Sequence, residues 1–296
     1  MSQHKSVVLI TGTSSGFGRD TAHLLAKNGH TVYASMRSVD GRNKDKADAL
    51  RAFADEHGVS IRVIELDVTD TQQVERAVEH VIDDAGRLDA VVNNAGYGAI
   101  GVLESISPEQ ERQMFEVNVH GPTTLARAVL PQMRAQKRGL IVNISSGLGR
   151  FTMPGFGVYA STKWALEALT ESLRYETAAL GIDAVLIEPG AFKTDFFGNM
   201  PEPALQERVG DYGDLANLEQ AFEAGMDQYF ASEHYRPAGI VAEAIVDVIE
   251  SEPGSRPARV PVGADMQPVI DLNERAADTQ RALLAGFGFE QFAPLA

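Results

Sequence analysis

Residues 11–18 read TGTSSGFG, and they stand between an apolar run, SVVLI (6–10), and a segment with helical spacing, RDTAHLLAKNG (19–29). A glycine spacing alone says little, but glycines at the junction of a strand and a helix have a defined use. Gly12 permits a tight turn, Gly16 lets the main chain approach a pyrophosphate, and Gly18 lets the helix pack closely on the sheet. The helix that starts here offers unpaired N–H groups and the positive end of its dipole to phosphate, with Ser14 and Ser15 adding hydroxyl donors and Phe17 lying in the same loop. The stretch therefore predicts the opening strand–turn–helix of a dinucleotide-binding fold.

Outward from that loop the alternation continues. Further apolar runs occur at TVYASM (31–36), IRVIEL (61–66), LDAVVN (88–93), GLIVNIS (139–145), IDAVLIE (182–188) and ARVPV (258–262). Between them lie helical patterns such as DTQQVERAVEHVIDDAG (70–86) and KWALEALTESLRYETAALG (163–181), each ending in Gly as helix C-termini commonly do. Continuous apolar strands joined by helical crossovers predict a Rossmann-type α/β fold: a doubly wound parallel sheet of about seven strands with helices on both faces. The 296 residues are read as one dinucleotide-binding catalytic domain, since no linker, repeat or low-complexity tract divides them. Residues 191–236 follow the sixth strand without sheet periodicity and read as an insertion placed to form a substrate lid; 237–296 supply C-terminal helices and the last strand.

Composition narrows the class. With 41 acidic against 26 basic residues the formal charge is −15, which repels a polyphosphate backbone, so no nucleic acid is expected as a partner. No apolar run approaches the roughly 18 residues of a membrane span, and the N-terminus, MSQHKSVVLITG, lacks a signal-peptide core, so the expectation is a cytoplasmic protein with no membrane. Cysteine is absent, which rules out disulfides and thiolate metal sites, and the histidines show no metal spacing.

The end of the second strand bears on which dinucleotide fits. A carboxylate there receives a ribose 2′-hydroxyl, whereas a cation accommodates a 2′-phosphate. The strand ends SMRS (35–38), so Arg37 favours NADP(H), with NAD(H) possible; Asp40 competes but falls in SVDG, a turn sequence in which Asp is common for local reasons.

With NNAG at 93–96 and YASTK at 159–163 added to the glycine loop, the chain resembles the short-chain dehydrogenase/reductase family, in its compact, steroid and retinol dehydrogenase-like branch. The resemblance runs from about residue 6 to about 195 through LDV (66–68), EVNVHG (116–121), NISSG (143–147) and EPG (188–190). It implies that Asp67 and its neighbour Val68 meet the adenine and that Asn93, Ala95 and Gly96 line the cofactor cleft. It further implies that Pro189 and Gly190 shape the turn beneath the nicotinamide, with Phe192 and Thr194 on its carboxamide side. The same resemblance makes Asn118, Ser146, Tyr159 and Lys163 the catalytic set, Asn118 holding a water-linked proton relay. Ser146 is preferred to Ser145 by its distance from Tyr159.

The chemistry needs those residue types. Tyrosine, with a reference pKa of about 10, is a poor base at neutral pH, and an adjacent ammonium stabilises phenolate. The i, i+4 spacing places Tyr159 and Lys163 on one helix face, so the expectation is a phenol whose pKa the lysine lowers. Tyr159 would then exchange a proton with a carbonyl or alcohol oxygen that Ser146 polarises, and Lys163 would also orient the cofactor ribose. Phe151, Phe156 and Phe196, together with Met153, Phe197, Met200, Tyr229 and Phe230, predict an apolar lining suited to a small hydrophobic ketone, aldehyde or secondary alcohol. A non-catalytic NAD(P)-binding sensor of the same fold is the alternative; a sugar-nucleotide epimerase or dehydratase is disfavoured by the loop at 11–18. The family resemblance also implies a homodimer or homotetramer.

Overall fold

The computed structural model describes residues 5–292; the first four residues of the N-terminal stretch and the last four of the C-terminal segment lie outside the described residues. The chain alternates strand and helix from the start: β1 (Val7–Thr11), α1 (Gly16–Lys27), β2 (Thr31–Met36), α2 (Lys44–His57), β3 (Ile61–Glu65), α3 (Thr71–Ala85) and β4 (Ala90–Asn93). It continues with α4 (Pro108–Phe115), α5 (Gly121–Gln136), β5 (Gly139–Ile144), α6 (Gly157–Thr177) and β6 (Ile182–Pro189). The last elements are α7 (Asp195–Gly198), α8 (Leu218–Phe230), α9 (Gly239–Glu250), β7 (Arg259–Val262) and α10 (Gln267–Gly286).

The strands form one seven-stranded sheet in the order β3-β2-β1-β4-β5-β6-β7, and every neighbouring pair is parallel. This is the doubly wound Rossmann-type sheet expected from the alternation, and each strand begins or ends within two residues of its apolar run. Side chains alternate across the strands and build two cores. Val8 and Ile10 of β1 pack with Ala22 and Leu25 of α1 and Val241 and Ile245 of α9 on one face. Leu9 and Tyr33 pack on the other with Val74, Val78 and Val81 of α3 and Leu125 and Val129 of α5. Full coverage of both faces is why the strands read as unbroken apolar runs.

Local signals start the helices. Asp70 accepts a hydrogen bond from the Gln73 amide at the head of α3 (3.1 Å). Ser107 and Gln110 form a reciprocal capping box at the head of α4, with Pro108 in the first turn. Consecutive strands run outward from β1 in one direction and from β4 in the other, so the order reverses between β1 and β4. A crevice opens there at the strands' C-terminal ends. The segment 191–236 contains α7, a kinked 3-10 stretch (Gln206–Asn217) and α8, which rise over that same end. Among the described residues no helix is long and apolar enough to cross a membrane.

Candidate active site

A cavity of about 1200 Å³ occupies the crevice, running from the glycine loop, past the ends of β4, β5 and β6, to the inner face of α8 and the start of α10. Gly12 turns with φ +71°, and a Cβ there would stand 2.8 Å from Ala95 Cα, so only glycine lets the β1 turn meet the β4 turn. Gly18 does not face the cavity; it is buried where a side chain would overlap Asn94 and the Gly12 carbonyl, which is how α1 comes close to the sheet. Ser14, Ser15, Gly16 and Phe17 line the cavity. Phe17 meets Phe192 edge-on (5.7 Å between centroids), and Thr194 lies over Gly16, so the loop after β6 closes down on the glycine turn. The first turn of α1 carries no acidic residue and the Ser15 side chain makes no cap, which leaves its N–H groups available to an anion.

Beyond β2 the chain folds back sharply. Ser38 adopts φ +52°, uncommon for a residue with a side chain, and the Asn43 amide donates to the Arg37 carbonyl (2.6 Å). That turn brings Arg37, Arg42, Asn43 and Lys46 to one end of the cavity, while Asp40 stays in the exposed turn away from it. Asp67 lies between Thr69, whose amide and hydroxyl it accepts (3.0 and 2.8 Å), and the Arg37 guanidinium (3.8 Å); it lines the cavity with Val68. Arg42 and Lys46 were not legible as site residues, because only the reversed turn at Ser38 aims them inward.

Ala95 and Gly96 line the cavity, whereas Asn93 does not. Its buried amide donates to Asn143 Oδ1 on β5 (2.7 Å), and the neighbouring Asn94 faces the cavity, its own amide donating to the Thr11 and Gly12 carbonyls (both 2.9 Å). Asn93 is the last residue of β4 and points sideways into the sheet; the change of direction comes one residue later. Asn118 sits on a π-helical turn (Glu116–His120) between α4 and α5. Its amide donates to the Tyr97 carbonyl (2.9 Å) and Thr162 Oγ1 (3.0 Å) and accepts from the Tyr97 amide (3.1 Å). The side chain thus clamps the β4 loop to α6 next to Lys163 and is itself outside the cavity lining.

Ser146, Tyr159 and Lys163 all face the cavity. The two serines after β5 diverge: Ser145 gives its hydroxyl to the buried Glu167 (2.6 Å), whereas Ser146 caps the 147–149 turn and lies beside Tyr159 in the cavity. Lys163 is buried, donates to the Ile144 carbonyl (2.8 Å) and places Nζ 5.7 Å from the Tyr159 ring centroid. One expectation fails here. Tyr159, packed among Phe156 and Phe196, is pushed well above the usual tyrosine value by burial, with the Ser146 hydroxyl acting weakly the other way; no lowering by Lys163 offsets it. It is the lysine that shifts down, from 10.5 to about 8, because burial penalises its ammonium; Glu167 opposes that shift. Burial thus favours the protonated phenol at this site.

Around this centre the lining is aromatic and sulfur-rich. Phe151, Phe156 and Phe196 face the cavity, with Met153, Phe197 and Tyr229, while Met200 packs behind them and Phe230 meets Phe197 at a tilt without lining the cavity. Tyr97, Phe222 and Met226 complete the wall, and Met266, Val269 and Leu272 add a side from the head of α10. That last side was missed by sequence reasoning. The signal was available, since VGADM follows a parallel strand and so emerges at the ligand end of the sheet.

Comparisons with known proteins identify the family to which this fold belongs. The family model for short chain dehydrogenases matches residues 6–204. A 3-ketodihydrosphingosine reductase of Bacteroides thetaiotaomicron is 36% identical over 208 residues, which is 70% of this chain and 72% of that protein. An NADPH-dependent 3-dehydrocapnine reductase of Ornithobacterium rhinotracheale is 33% identical over 222 residues, 73% of this chain and 76% of the other. Among solved structures, a short-chain dehydrogenase of Streptomyces avermitilis superposes with a TM-score of 0.71 at 34% identity, covering 97% of this chain and 98% of that one.

Proposed function

The chain belongs to the short-chain dehydrogenase family of oxidoreductases, and from that premise we propose that it is an NADP(H)-dependent enzyme interconverting a hydrophobic ketone or aldehyde and its alcohol. The observation that carries this reading is the meeting of Ser146, Tyr159 and Lys163 with the glycine loop in one cavity whose far wall is apolar. When bound, the nicotinamide supplies the hydride in reduction and accepts it in oxidation.

The residues present fit such a cofactor. Ser14, Ser15 and the free amides of α1 would hold the pyrophosphate, and Asp67, Val68 and Ala95 would flank the adenine and its ribose. Arg37, Arg42 and Lys46 cluster where a 2′-phosphate would lie, in a chain that is otherwise strongly acidic, which supports NADP(H) over NAD(H). Pro189, Gly190, Phe192 and Thr194 would border the nicotinamide.

Tyr159, neutral by burial, donates its proton to the substrate oxygen in reduction; Ser146 donates a hydrogen bond to the same oxygen and polarises the carbonyl. Lys163 compensates the negative charge left on the phenolate and is within reach of the cavity for a ribose hydroxyl. Residues 191–236 act as a lid through Phe196, Phe197 and Phe222, which exclude water from the reacting centre. The outer face of α6 leaves Trp164 and Leu169 exposed, which supports self-association as a homodimer or homotetramer.

The test is NADPH oxidation across a panel of aldehydes, ketones, quinones and ketosteroids, repeated with NADH, for the native chain and Tyr159→Phe. The reading expects turnover of apolar carbonyls by the native chain, lost in Tyr159→Phe with NADPH affinity kept. Tight NADPH binding without turnover of any carbonyl would instead identify a dinucleotide sensor.

A further inference from the structure

One turn beyond Lys163 on α6, the buried Glu167 is the centre of an ion network that the reaction outlined above does not use. One carboxylate oxygen accepts the Ser145 hydroxyl (2.6 Å), and the other accepts from the Arg259 guanidinium (2.7 Å), with Arg150 3.6 Å away. Arg259, from β7, also binds Glu171 on α6 (2.7 Å) and the fully buried Glu188 on β6. Glu188 in turn accepts the Asn273 amide of α10 (2.6 Å). The network joins the turn after β5, the catalytic helix, the strand that ends in Pro189–Gly190, and the C-terminal helix.

The backbone is shaped around it. Gly149 is buried against the Glu167 carboxylate, and a Cβ there would overlap that carboxylate and stand 2.8 Å from Ser145 Oγ. No other residue fits at 149 while Glu167 and Ser145 stay paired. Three carboxylates (Glu167, Glu171, Glu188) face two guanidiniums (Arg150, Arg259), and Glu167, one helical turn beyond Lys163, favours that ammonium against its burial. Among the described residues Glu167 is the charged side chain that acts on Lys163, whose ammonium also donates to the Ile144 carbonyl and lies near Tyr159 and Asn118.

We infer that Glu167, held by Arg259, is a positioning residue that fixes the 145–149 turn carrying Ser146 and supplies the counter-charge for Lys163. This rests on the oxidoreductase reading for its effect on turnover, and its electrostatic half stands without it. Ser145, adjacent to Ser146, is the mechanical link; the α6 backbone, one turn long, is the electrostatic one.

The experiment compares Glu167→Gln, which keeps the shape and an acceptor for Ser145 but removes the charge, with Glu167→Asp, which keeps the charge and shortens the reach. Lys163 is titrated by NMR in protein carrying ¹³C-labelled lysine side chains and no cofactor, its signal identified by its loss in Lys163→Arg. In Glu167→Gln the Lys163 midpoint falls by roughly one pH unit, and the alkaline limb of carbonyl reduction moves with it. In Glu167→Asp the midpoint stays near its native value while kcat drops on the order of tenfold, KM for NADPH being little changed. An unmoved Lys163 midpoint in Glu167→Gln overturns the inference whatever the activity, because a merely structural carboxylate would alter stability alone. If Glu167→Gln does not fold, Ser145→Ala carries the test: lowered kcat with native NADPH affinity supports the mechanical link, and unchanged kcat overturns it. A native chain with no carbonyl turnover would sink the oxidoreductase reading and leave the titration result intact.

Discussion

Tyr159 and Lys163 show how far a spacing can be read. The i, i+4 interval placed both on one helix face, and the structure keeps them 5.7 Å apart, ring to ammonium. What the spacing could not convey is desolvation, which depends on Phe196, a side chain from a distant segment that packs with the local Phe156 around the phenol only after folding. Burial reverses the expected direction at Tyr159 and leaves Lys163 as the group that titrates near neutrality, at about 8. The sign follows: Lys163 is charged below that value and loses its proton above it, while Tyr159 remains protonated through the same window. Reduction measured as kcat/KM is therefore level at lower pH and falls as pH rises through about 8. Lys163→Arg, which keeps its charge, moves the fall to higher pH; a limb that stays in place would assign it to another group. Asn93 teaches the same lesson at shorter range, since NNAG marks the turn but not which asparagine faces the cleft.

At the level of elements, the strands were legible because each is buried on both sides and so reads as a continuous apolar run, and the glycine loop because its neighbours are local. The segment 191–236, which we propose as a lid, was legible only as a break in rhythm. Its helix α8 is exposed along most of its length, and it earns its place through a few aromatic contacts, Phe222 with Phe156 (4.9 Å) and with Phe197 (5.5 Å), that no local pattern announces. Those contacts give a prediction. Phe222→Ala removes the ring that joins lid to site, so KM for a bulky ketone rises about tenfold while NADPH affinity, set at the other end of the cavity, stays within about twofold. Equal loss of both would show that α8 supports the fold and not the substrate wall.

Across the whole molecule the charge is uneven in a useful way. A chain of formal charge −15 repels a polyanionic dinucleotide at a distance, and the local cluster of Arg37, Arg42 and Lys46 must overcome that field near the cleft. Affinity for NADPH should accordingly depend on salt more steeply than affinity for NADH, because only the former presents its 2′-phosphate to the cluster. Arg37→Ala should weaken NADPH by about 10- to 100-fold, the scale of a lost charge-assisted pair, and largely flatten the salt dependence, with NADH little affected. Parallel losses for both dinucleotides in equilibrium titrations would remove the 2′-phosphate assignment.

Arg259 belongs to β7, an edge strand of the all-parallel sheet and the last of its strands in sequence, yet it completes the ion network behind Ser146 and Lys163. A ribosome delivers a chain from its N-terminus, so β1 to β6 with Ser146, Tyr159 and Lys163 emerge while β6 still has a bare edge, Glu188 still lacks its arginine and Glu167 has only the more distant Arg150. A chain stalled or clipped short of residue 259 would carry the glycine loop, Ser146, Tyr159 and Lys163 without the arginine that joins Glu167, Glu171 and Glu188.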